Sequence, residues 1–211
     1  LVYAERSVGG QFHDPIELVP TYRFTSAFAL AVGGDRTVVV YSEDAGLLLA
    51  TRDGSAFTTA PAMSASGRLS GLVSKAVIDA RGSLWLLLQQ GSETSIWHET
   101  SGGLFEALAL PPSLEFPVVL DFFVAPSGKV HATFSSGDYG VHAGGTWELA
   151  SLGDFGGRFW IATSGEGPRR AVTQIGKAAR PEAALLTLAD DDSLSFELID
   201  ERELLGPGNS P

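Results

Sequence analysis

The sequence contains no cysteine, which excludes disulfide bonds, thiolate metal ligands and cysteine nucleophiles. Basic residues are few: 14 lysines and arginines stand against 25 acidic residues, giving a formal net charge of −11. A nucleic-acid-binding protein needs a basic stripe to meet the phosphates, and the basic residues here are scattered, so we expect no nucleic-acid partner. The acidity also disfavours binding to anionic membrane surfaces.

Long apolar runs and helical periodicity are also missing. The longest apolar stretch, residues 118–124, is interrupted by Asp121 and is far shorter than the roughly 18 residues of a membrane-spanning helix, so no membrane insertion is expected. No segment combines a 3.6-residue apolar period with capping residues, which predicts almost no helix. No glycine-rich phosphate loop and no nucleophile elbow occur, and we expect no cofactor.

What the sequence does contain is a repeated β-hairpin. Each copy joins an apolar strand to a second strand through a turn of small residues, and an aromatic residue follows the turn. We expect this aromatic side chain to pack back over its hairpin and hold the turn. A period in the forties, built only of strands and turns, is typical of a β-propeller. The aromatic residues are Phe12, Phe57, Phe105, Trp147 and Phe196, spaced 42 to 49 positions apart.

A second kind of hairpin lies between these copies. It consists of two apolar strands joined by a polar turn that usually contains glycine. Runs such as Leu84–Leu88 are apolar on both faces, which suits inner strands sandwiched between neighbouring blades. The four copies span residues 27–41, 76–88, 120–134 and 159–175.

Five outer hairpins against four inner ones predict an all-β fold: a β-propeller of about four full four-stranded blades plus a half-blade. We expect one domain over residues 1–205 and a linker-like tail over 206–211. The chain starts on an outer hairpin without its inner partner, so it looks trimmed and the ring incomplete. Three alternatives remain for the complete structure. Residues absent from this chain close the ring, another chain or segment completes the half-blade, or the blades form an open β stack. The blades are predicted near residues 1–20, 21–64, 71–111, 117–153 and 157–200.

The segment Thr51–Phe57, with Asp53 at its turn, resembles the Asp-box, or BNR, repeat of sialidase-like propellers. The other outer hairpins keep the glycine and the aromatic residue but lack the aspartate. The resemblance is a repeat pattern over residues 1–199, and it implies a propeller fold. In that family the Asp-box is a structural turn on the blade periphery, so the resemblance implies a structural role for Asp53.

Sialidase chemistry itself has little support in the sequence. The resemblance implies three arginines that bind a substrate carboxylate, a Tyr–Glu nucleophile pair, and an aspartate that acts as the acid. Arginine suits carboxylate binding because its planar guanidinium binds a carboxylate at two points. The first family arginine stands in a Phe-Arg-Ile-Pro context, and Arg23 in Tyr22-Arg23-Phe24 is its nearest imitation but lacks the Ile-Pro. No tyrosine has an assignable glutamate partner. We therefore assign no catalytic residue, and the sequence leans against enzymatic activity.

Three aspartates, Asp35, Asp79 and Asp121, are candidates for a two-carboxylate hydrolase with its site at the ring axis. The preferred interpretation is that they form turns or strand ends and bind their own backbone. The histidines His131 and His142 lie on strands joined by a turn and could lie close together, but a metal site needs three or four ligands.

Two further features receive structural interpretations. The run Asp190–Asp192 offers oxygen ligands for Ca²⁺ but lacks the glycine and spacing of a calcium loop, so we expect a solvated turn and no metal site. The tryptophans could form a carbohydrate-stacking platform, but their recurrence at equivalent repeat positions favours packing. These residues are Trp85, Trp97, Trp147 and Trp160.

The sequence thus predicts a non-catalytic extracellular β-propeller module for protein or glycan recognition or scaffolding, as a subunit or fragment of a larger assembly. The alternative is a polysaccharide-active glycoside hydrolase or lectin with its site at the propeller axis. The partner is a protein or a carbohydrate. A composition rich in Ala, Gly and Leu and poor in Lys, together with the family resemblance, favours a secreted, periplasmic or cell-surface protein of a bacterium.

Overall fold

A computed structural model describes residues 1–5, 10–12, 14–18, 27–115, 117–151, 159–162, 169–175, 182–188 and 194–199. This part of the chain is all-β and contains no helix, as the sequence predicts. None of its elements is therefore a helix that would span a membrane. Strand formation follows from the dense β-branched and aliphatic residues, which pack well on a pleated surface.

The strands fall into four groups of four and two short pairs. The short pairs are β1 (Val2–Tyr3) with β2 (Ile16–Glu17), and β7 (Met63–Ser64) with β8 (Gly67–Arg68). The first two groups are β3 (Phe28–Gly33), β4 (Arg36–Glu43), β5 (Gly46–Asp53) and β6 (Ala56–Pro61), then β9 (Leu72–Ile78), β10 (Leu84–Gln90), β11 (Glu93–Glu99) and β12 (Phe105–Ala107). The other two are β13 (Val119–Val124), β14 (Val130–Phe134), β15 (Asp138–Ala143) and β16 (Thr146–Ser151), then β17 (Phe159–Ala162), β18 (Arg169–Ile175), β19 (Glu182–Leu188) and β20 (Leu194–Ile199).

Each group of four is an antiparallel meander in which sequence neighbours are also neighbours in the sheet. The second sheet is extended to six strands because β7 pairs in parallel with β12 and in antiparallel with β8. The four meanders are the four full four-stranded blades that the sequence predicts. We call them blades one to four in chain order. The pair β1–β2 forms a sheet of its own.

Glycine sets the geometry of the tight turns. Between β15 and β16, Gly144 and Gly145 have φ angles of 58° and 87°. A two-residue turn with both angles positive matches the right-handed twist of the strands it joins, and only residues such as glycine adopt it cheaply. The Asp-box candidate also turns through two residues, because Asp53 pairs with Ala56, and the φ of Gly54 in this turn is 59°.

The chain divides into two compact units, Leu1–Ala109 and Leu110–Pro211. In the first unit, the core lies between blades one and two, where β3 packs against β9. The predicted two-faced burial of the run 84–88 is confirmed for its leucines, whereas Trp85 is half-buried. These leucines are 0 to 3% exposed: Leu84, Leu86, Leu87 and Leu88.

The second unit has its best-described core in blade three. Phe122 and Phe134 are fully buried, and Trp147 meets Phe134 edge-on with ring centroids 5.6 Å apart. A Cβ atom on Gly140 would lie 2.8 Å from the Trp147 ring and 2.9 Å from the Phe134 ring. Glycine therefore allows both aromatic side chains to close over this strand.

The predicted stapling by the repeat aromatics is confirmed for some copies and wrong for the first. Phe105 is 1% exposed and Phe57 packs against a buried cluster, but Phe12 is 70% exposed. The strand Val2–Tyr3 pairs with Ile16–Glu17, so Phe12 lies in the connection between these two strands and not on the strand that pairs with β1. The anchor position of Phe196 belongs to β20, and its side chain lies outside the described part.

Candidate functional site

An exposed apolar surface of the first unit lies on one side of β3. Phe28, Leu30 and Val32 are 61%, 51% and 64% exposed. Side chains two apart on a strand point to the same face, so these three form a continuous apolar row. We call this row of Phe28, Leu30 and Val32 the uncovered face.

The neighbouring strand continues the same face but is buried. Phe28 pairs with Tyr41 and Leu30 pairs with Val39, and residues directly opposite in antiparallel strands share a face. Tyr41 and Val39 are only 2% and 4% exposed. Burial therefore changes sharply between β3 and β4, within a single strand spacing of about 4.8 Å.

The pair β1–β2 explains this change. Side chains of Leu1, Tyr3 and Leu18 pack against a buried cluster of Val39, Tyr41 and Ala50. The Tyr3 ring meets the Phe57 ring edge-on at 5.0 Å. Among the described residues, the β1–β2 pair thus covers blade one above β4, β5 and β6, and β3 stays exposed on that side.

The opposite face of β3 is tightly covered. There β3 carries small residues, Ala29, Ala31 and Gly33, and it packs on β9 of blade two. A Cβ atom on Gly33 would lie 2.7 Å from Cγ2 of Ile78, closer than real Cβ contacts. The two faces of β3 therefore differ in size and in cover: small residues meet the next blade, and large residues meet solvent.

The two blades of the first unit are also joined by an ion pair. Arg36 Nη1 lies 2.5 Å from Glu99 Oε2, and Arg36 Nη2 donates to Glu99 Oε1 at 3.1 Å. Arg36 also donates to the carbonyl of Gly82 at 2.8 Å, and Glu99 accepts from the backbone of Leu84 at 3.2 Å. The Arg36 side chain of blade one thus makes three polar contacts with blade two.

A cleft of about 470 Å³ opens beside this ion pair, where the β3–β4 and β9–β10 turns approach each other. Asp35 and Asp79 both line it, so the structure brings two of the three candidate aspartates to one place. Arg36, Arg52 and Arg81 line it as well. The third candidate, Asp121, lies in the second unit.

Asp79 performs the turn-forming role that the sequence predicts. Its Oδ1 accepts from the backbone N–H groups of Arg81 and Ser83 at 2.8 and 2.9 Å, and its Oδ2 accepts from Trp85 Nε1 at 3.0 Å. Both carboxylate oxygens therefore hold the β9–β10 turn. Asp121 is 6% exposed, and its Oδ1 accepts from the backbone of Phe122 at 2.7 Å.

A second cleft of about 510 Å³ lies where the β1–β2 pair meets the β5–β6 turn. Arg52 Nη1 lies 2.6 Å from Glu5 Oε2, and Arg52 Nε donates to the carbonyl of Gly54 at 2.8 Å. Tyr3 and Asp14 also line this cleft. Arg52 thus fastens the β1–β2 side of the cleft to the Asp-box turn, which is a structural task.

The two histidines of blade three lie on adjacent strands but on opposite faces of the sheet. His131 pairs with Val141 and His142 with Val130, a one-residue offset that reverses the direction of the side chain. His131 is fully buried, stacks on Phe123 at 4.4 Å and shares a hydrogen bond with the Tyr139 hydroxyl. The described residues contain no cluster of three metal-ligating side chains.

The described tryptophans are engaged within their blades. Trp97 Nε1 donates to Ser95 Oγ at 2.8 Å, Trp85 donates to Asp79, and Trp147 packs on Phe134. This is the packing role that their recurrence in the repeats predicts. Other sequence candidates lie outside the described residues: Arg23, the run Asp190–Asp192, the side chain of Trp160 and the tail 206–211.

The sequence interpretation missed the uncovered face because it treated residues 27–32 as an inner strand buried on both sides. One signal was present. Large and small residues alternate strictly from Phe28 to Gly33, which separates a face of large side chains from a face of alanine and glycine. Such a strand does not present equivalent faces to its two neighbours.

No family model and no curated protein matches the chain. Solved structures do resemble it. YCF48 bound to a D1 peptide superposes with a TM-score of 0.54 at 16% identity, over 90% of this chain and 58% of that one. Apo AztD from Citrobacter koseri gives 0.53 at 16%, over 82% and 47%. The extracellular domain of a candidate one-component system from B. thetaiotaomicron gives 0.53 at 15%, over 88% and 24%.

The resemblance shows the fold. YCF48 is a β-propeller, and the four meanders of this chain are propeller blades. The chain spans less than two thirds of the length of each of these three structures. At these identities the likeness carries the arrangement of strands and nothing about activity.

Proposed function

We propose that the chain is a non-catalytic β-propeller module for recognition or scaffolding, and that it binds a protein partner through the uncovered face. One observation carries the proposal: Phe28, Leu30 and Val32 expose more than half of each side chain in one continuous row. Single exposed apolar residues are ordinary, but a contiguous apolar row marks an interaction surface. An exposed edge strand of this kind is also an aggregation hazard unless a partner covers it.

A protein suits this surface better than a carbohydrate. The uncovered face offers one phenyl ring and two aliphatic side chains, which reward the burial of apolar area. A sugar needs polar groups that fix its hydroxyls as well as an aromatic platform. The described tryptophans, which were the sequence candidates for such a platform, are engaged in packing and hydrogen bonds.

Binding is also favoured over hydrolysis. A glycoside hydrolase needs two carboxyl groups free to act as acid and as base or nucleophile. In the cleft that Asp35 and Asp79 share, both oxygens of Asp79 already hold the β9–β10 turn. Asp35 therefore has no second carboxyl group in this cleft that is free to act with it.

Several finer statements belong to the same proposal. The blades form one domain over residues 1–205, followed by a tail over 206–211, and the outer hairpins are degenerate BNR repeats. The protein works outside the bacterial cytoplasm. The hairpin geometry of the Asp-box turn supports the BNR assignment. The likeness to an extracellular domain supports a location outside the cytoplasm, and cell fractionation tests that location.

Site-specific photo-crosslinking in the native host tests the proposal. A photoreactive amino acid replaces Leu30, and a matched control places it at Thr58, which is exposed on β6 of the same blade. We expect a discrete crosslinked protein from position 30 and none from position 58. Equal crosslinking from both positions, or none from position 30, would contradict the proposed surface.

A further inference from the structure

The turn between β5 and β6 carries a dipeptide that occurs once in the sequence. Asp53 is the only aspartate followed by glycine, and the chain has no Asn-Gly pair. An Asp-Gly pair can rearrange without an enzyme, because the side-chain carboxyl of aspartate lies close to the backbone nitrogen of the next residue. Glycine favours the reaction, since it has no Cβ to obstruct the approach of its nitrogen. This dipeptide is therefore the first place in the chain to examine for a self-modifying turn.

The turn is open to solvent. Asp53, Gly54 and Ser55 are all exposed. Asp53 ends β5 and pairs with Ala56, so Gly54 and Ser55 form the two-residue tip of the hairpin. The φ of Gly54 is 59°, and nothing lies within 4 Å of the position that a Cβ on this residue would occupy. Water thus reaches the tip, and no neighbouring atom crowds Gly54.

The Asp53 carboxylate is not held by its surroundings. In the part of the chain that the structure describes, it accepts no hydrogen bond and enters no ion pair, whereas Arg52 binds both Glu5 and the Gly54 carbonyl. Asp79 is the opposite case, because its two oxygens accept three hydrogen bonds that hold the ionised carboxylate in place. The bond that holds the Asp-box turn thus comes from Arg52, and the carboxyl group of Asp53 remains free to react.

We propose that Asp53 and Gly54 form a site of spontaneous isoaspartate formation in the folded protein. The Gly54 nitrogen attacks Cγ of the protonated Asp53 carboxyl. A bond between the nitrogen and Cγ forms, the bond from Cγ to its hydroxyl breaks, and the amide proton leaves with that hydroxyl as water. The product is a five-membered succinimide that contains the main-chain and side-chain carbonyl groups of Asp53.

Hydrolysis of the succinimide has two outcomes. Water that opens the new bond between Cγ and the nitrogen restores aspartate. Water that opens the original peptide bond leaves a main chain that runs through Cβ and Cγ, and the former main-chain carbonyl becomes the free carboxylate of isoaspartate. One water leaves in the first step and one enters in the second, so the net reaction is an isomerisation that needs no oxidant and no cofactor.

The isomer disturbs a contact that fastens the β1–β2 pair. Isoaspartate adds one methylene group to the main chain at position 53, which displaces the next residue and breaks the register of Asp53 with Ala56. Arg52 donates to the Gly54 carbonyl at 2.8 Å and lies 2.6 Å from Glu5, so a displaced Gly54 loosens Arg52 and its contact with Glu5. We expect this corner of blade one to open while the buried strands keep their pairing.

Peptide mapping of the aged protein tests the proposal. The folded chain is incubated at neutral pH beside the free peptide Thr51–Phe57, and isoaspartate is located by electron-transfer fragmentation and by enzymatic carboxyl methylation. Asp35 is the control within the same protein, since it is exposed and unbonded like Asp53 but precedes arginine in the part of the chain described. We expect at least about tenfold more isoaspartate at position 53 than at position 35, because only position 53 precedes glycine.

Two variants separate this chemistry from general ageing of the protein. Asp53→Glu would have to close a six-membered ring, and Gly54→Ala places a methyl group beside the attacking nitrogen, so each should lower the isomerised fraction at least about fivefold. The added methyl group of Gly54→Ala has space around it, and circular dichroism establishes that both variants are folded. In the isolated isoaspartate form, amide hydrogen exchange should be faster around Glu5 and Phe57 and unchanged in residues 84–88.

Every outcome bears on the proposal. A product lighter by one water, followed by isoaspartate at position 53, supports it if both are lost in Asp53→Glu. No isoaspartate at position 53 after the free peptide has converted would show that the folded turn prevents the attack, and this overturns the proposal. Equal fractions at positions 53 and 35 overturn it as well, because glycine would then have no influence. Unchanged hydrogen exchange in the isoaspartate form refutes the predicted loosening of the β1–β2 pair.

Discussion

Arg36 on β4 and Glu99 on β11 form a two-point ion pair that joins blade one to blade two, with contacts of 2.5 and 3.1 Å. The two residues are 63 positions apart in the sequence. Their side chains are 27% and 17% exposed, so water screens the pair only in part. Arg36 pairs with Gly33, the β3 residue that packs on Ile78 of β9, so the ion pair joins the two blades where β3 meets β9.

Replacing Arg36 with methionine should lower the free energy of unfolding by about 2 kcal/mol, because the substitution leaves a largely buried carboxylate without its guanidinium partner. Chemical denaturation followed by tryptophan fluorescence measures the change. Arg52→Met is the matched control: its pair with Glu5 is more exposed, at 30% and 41%, and should cost at most about 1 kcal/mol. Equal costs for the two substitutions would contradict a specific role of the Arg36–Glu99 pair.

Gly33→Ala should destabilise the first unit by about 1–3 kcal/mol, because the new Cβ would lie 2.7 Å from Ile78 and force β3 away from β9. Gly102→Ala provides the control. Its φ is not positive, and the nearest atom to the methyl group that alanine would add is Thr100 Oγ1 at 3.9 Å, so a change within about 0.5 kcal/mol is expected. A neutral Gly33→Ala would mean that the two blades are not closely packed at this point.

Asp79→Ala should cost about 2 kcal/mol, since three donors in the β9–β10 turn lose their acceptor. One of these donors is the Trp85 indole, so the fluorescence emission of Trp85 should shift as well. The neighbouring Asp35→Ala serves as the comparison and should have little effect on stability, because Asp35 is exposed. An Asp79→Ala protein of native stability would remove the structural interpretation of this carboxylate.

Sequence patterns predict the fold because its determinants are local. Alternating apolar residues form the strands, and glycines such as Gly54 and Gly144 form the turns, so the four blades follow from the order of the residues. The turn-forming role of Asp79 is equally local, with its backbone partners two and four positions away. Short-range chemistry of this kind is readable without a structure.

The candidate site depends on contacts that are distant in the sequence. Phe28 and Ala29 are adjacent apolar residues on one strand, and only the position of β9 and of the β1–β2 pair decides which of them is covered. The same holds for Phe12, which has the sequence features of the other aromatic anchors but is 70% exposed because β1 pairs elsewhere. Arg36 and Glu99 carry no signal that would pair them before the blades are placed side by side.

Thiol labelling at position 30 tests the central claim most directly, because the chain has no cysteine and a single introduced thiol reports one site. In the folded, free Leu30→Cys protein, the thiol should react nearly as fast as in Thr58→Cys and far faster than in Leu47→Cys, whose native leucine is fully buried. A thiol at position 30 that reacts as slowly in the free protein as the thiol at position 47 would show that β3 is already covered, and would contradict the account.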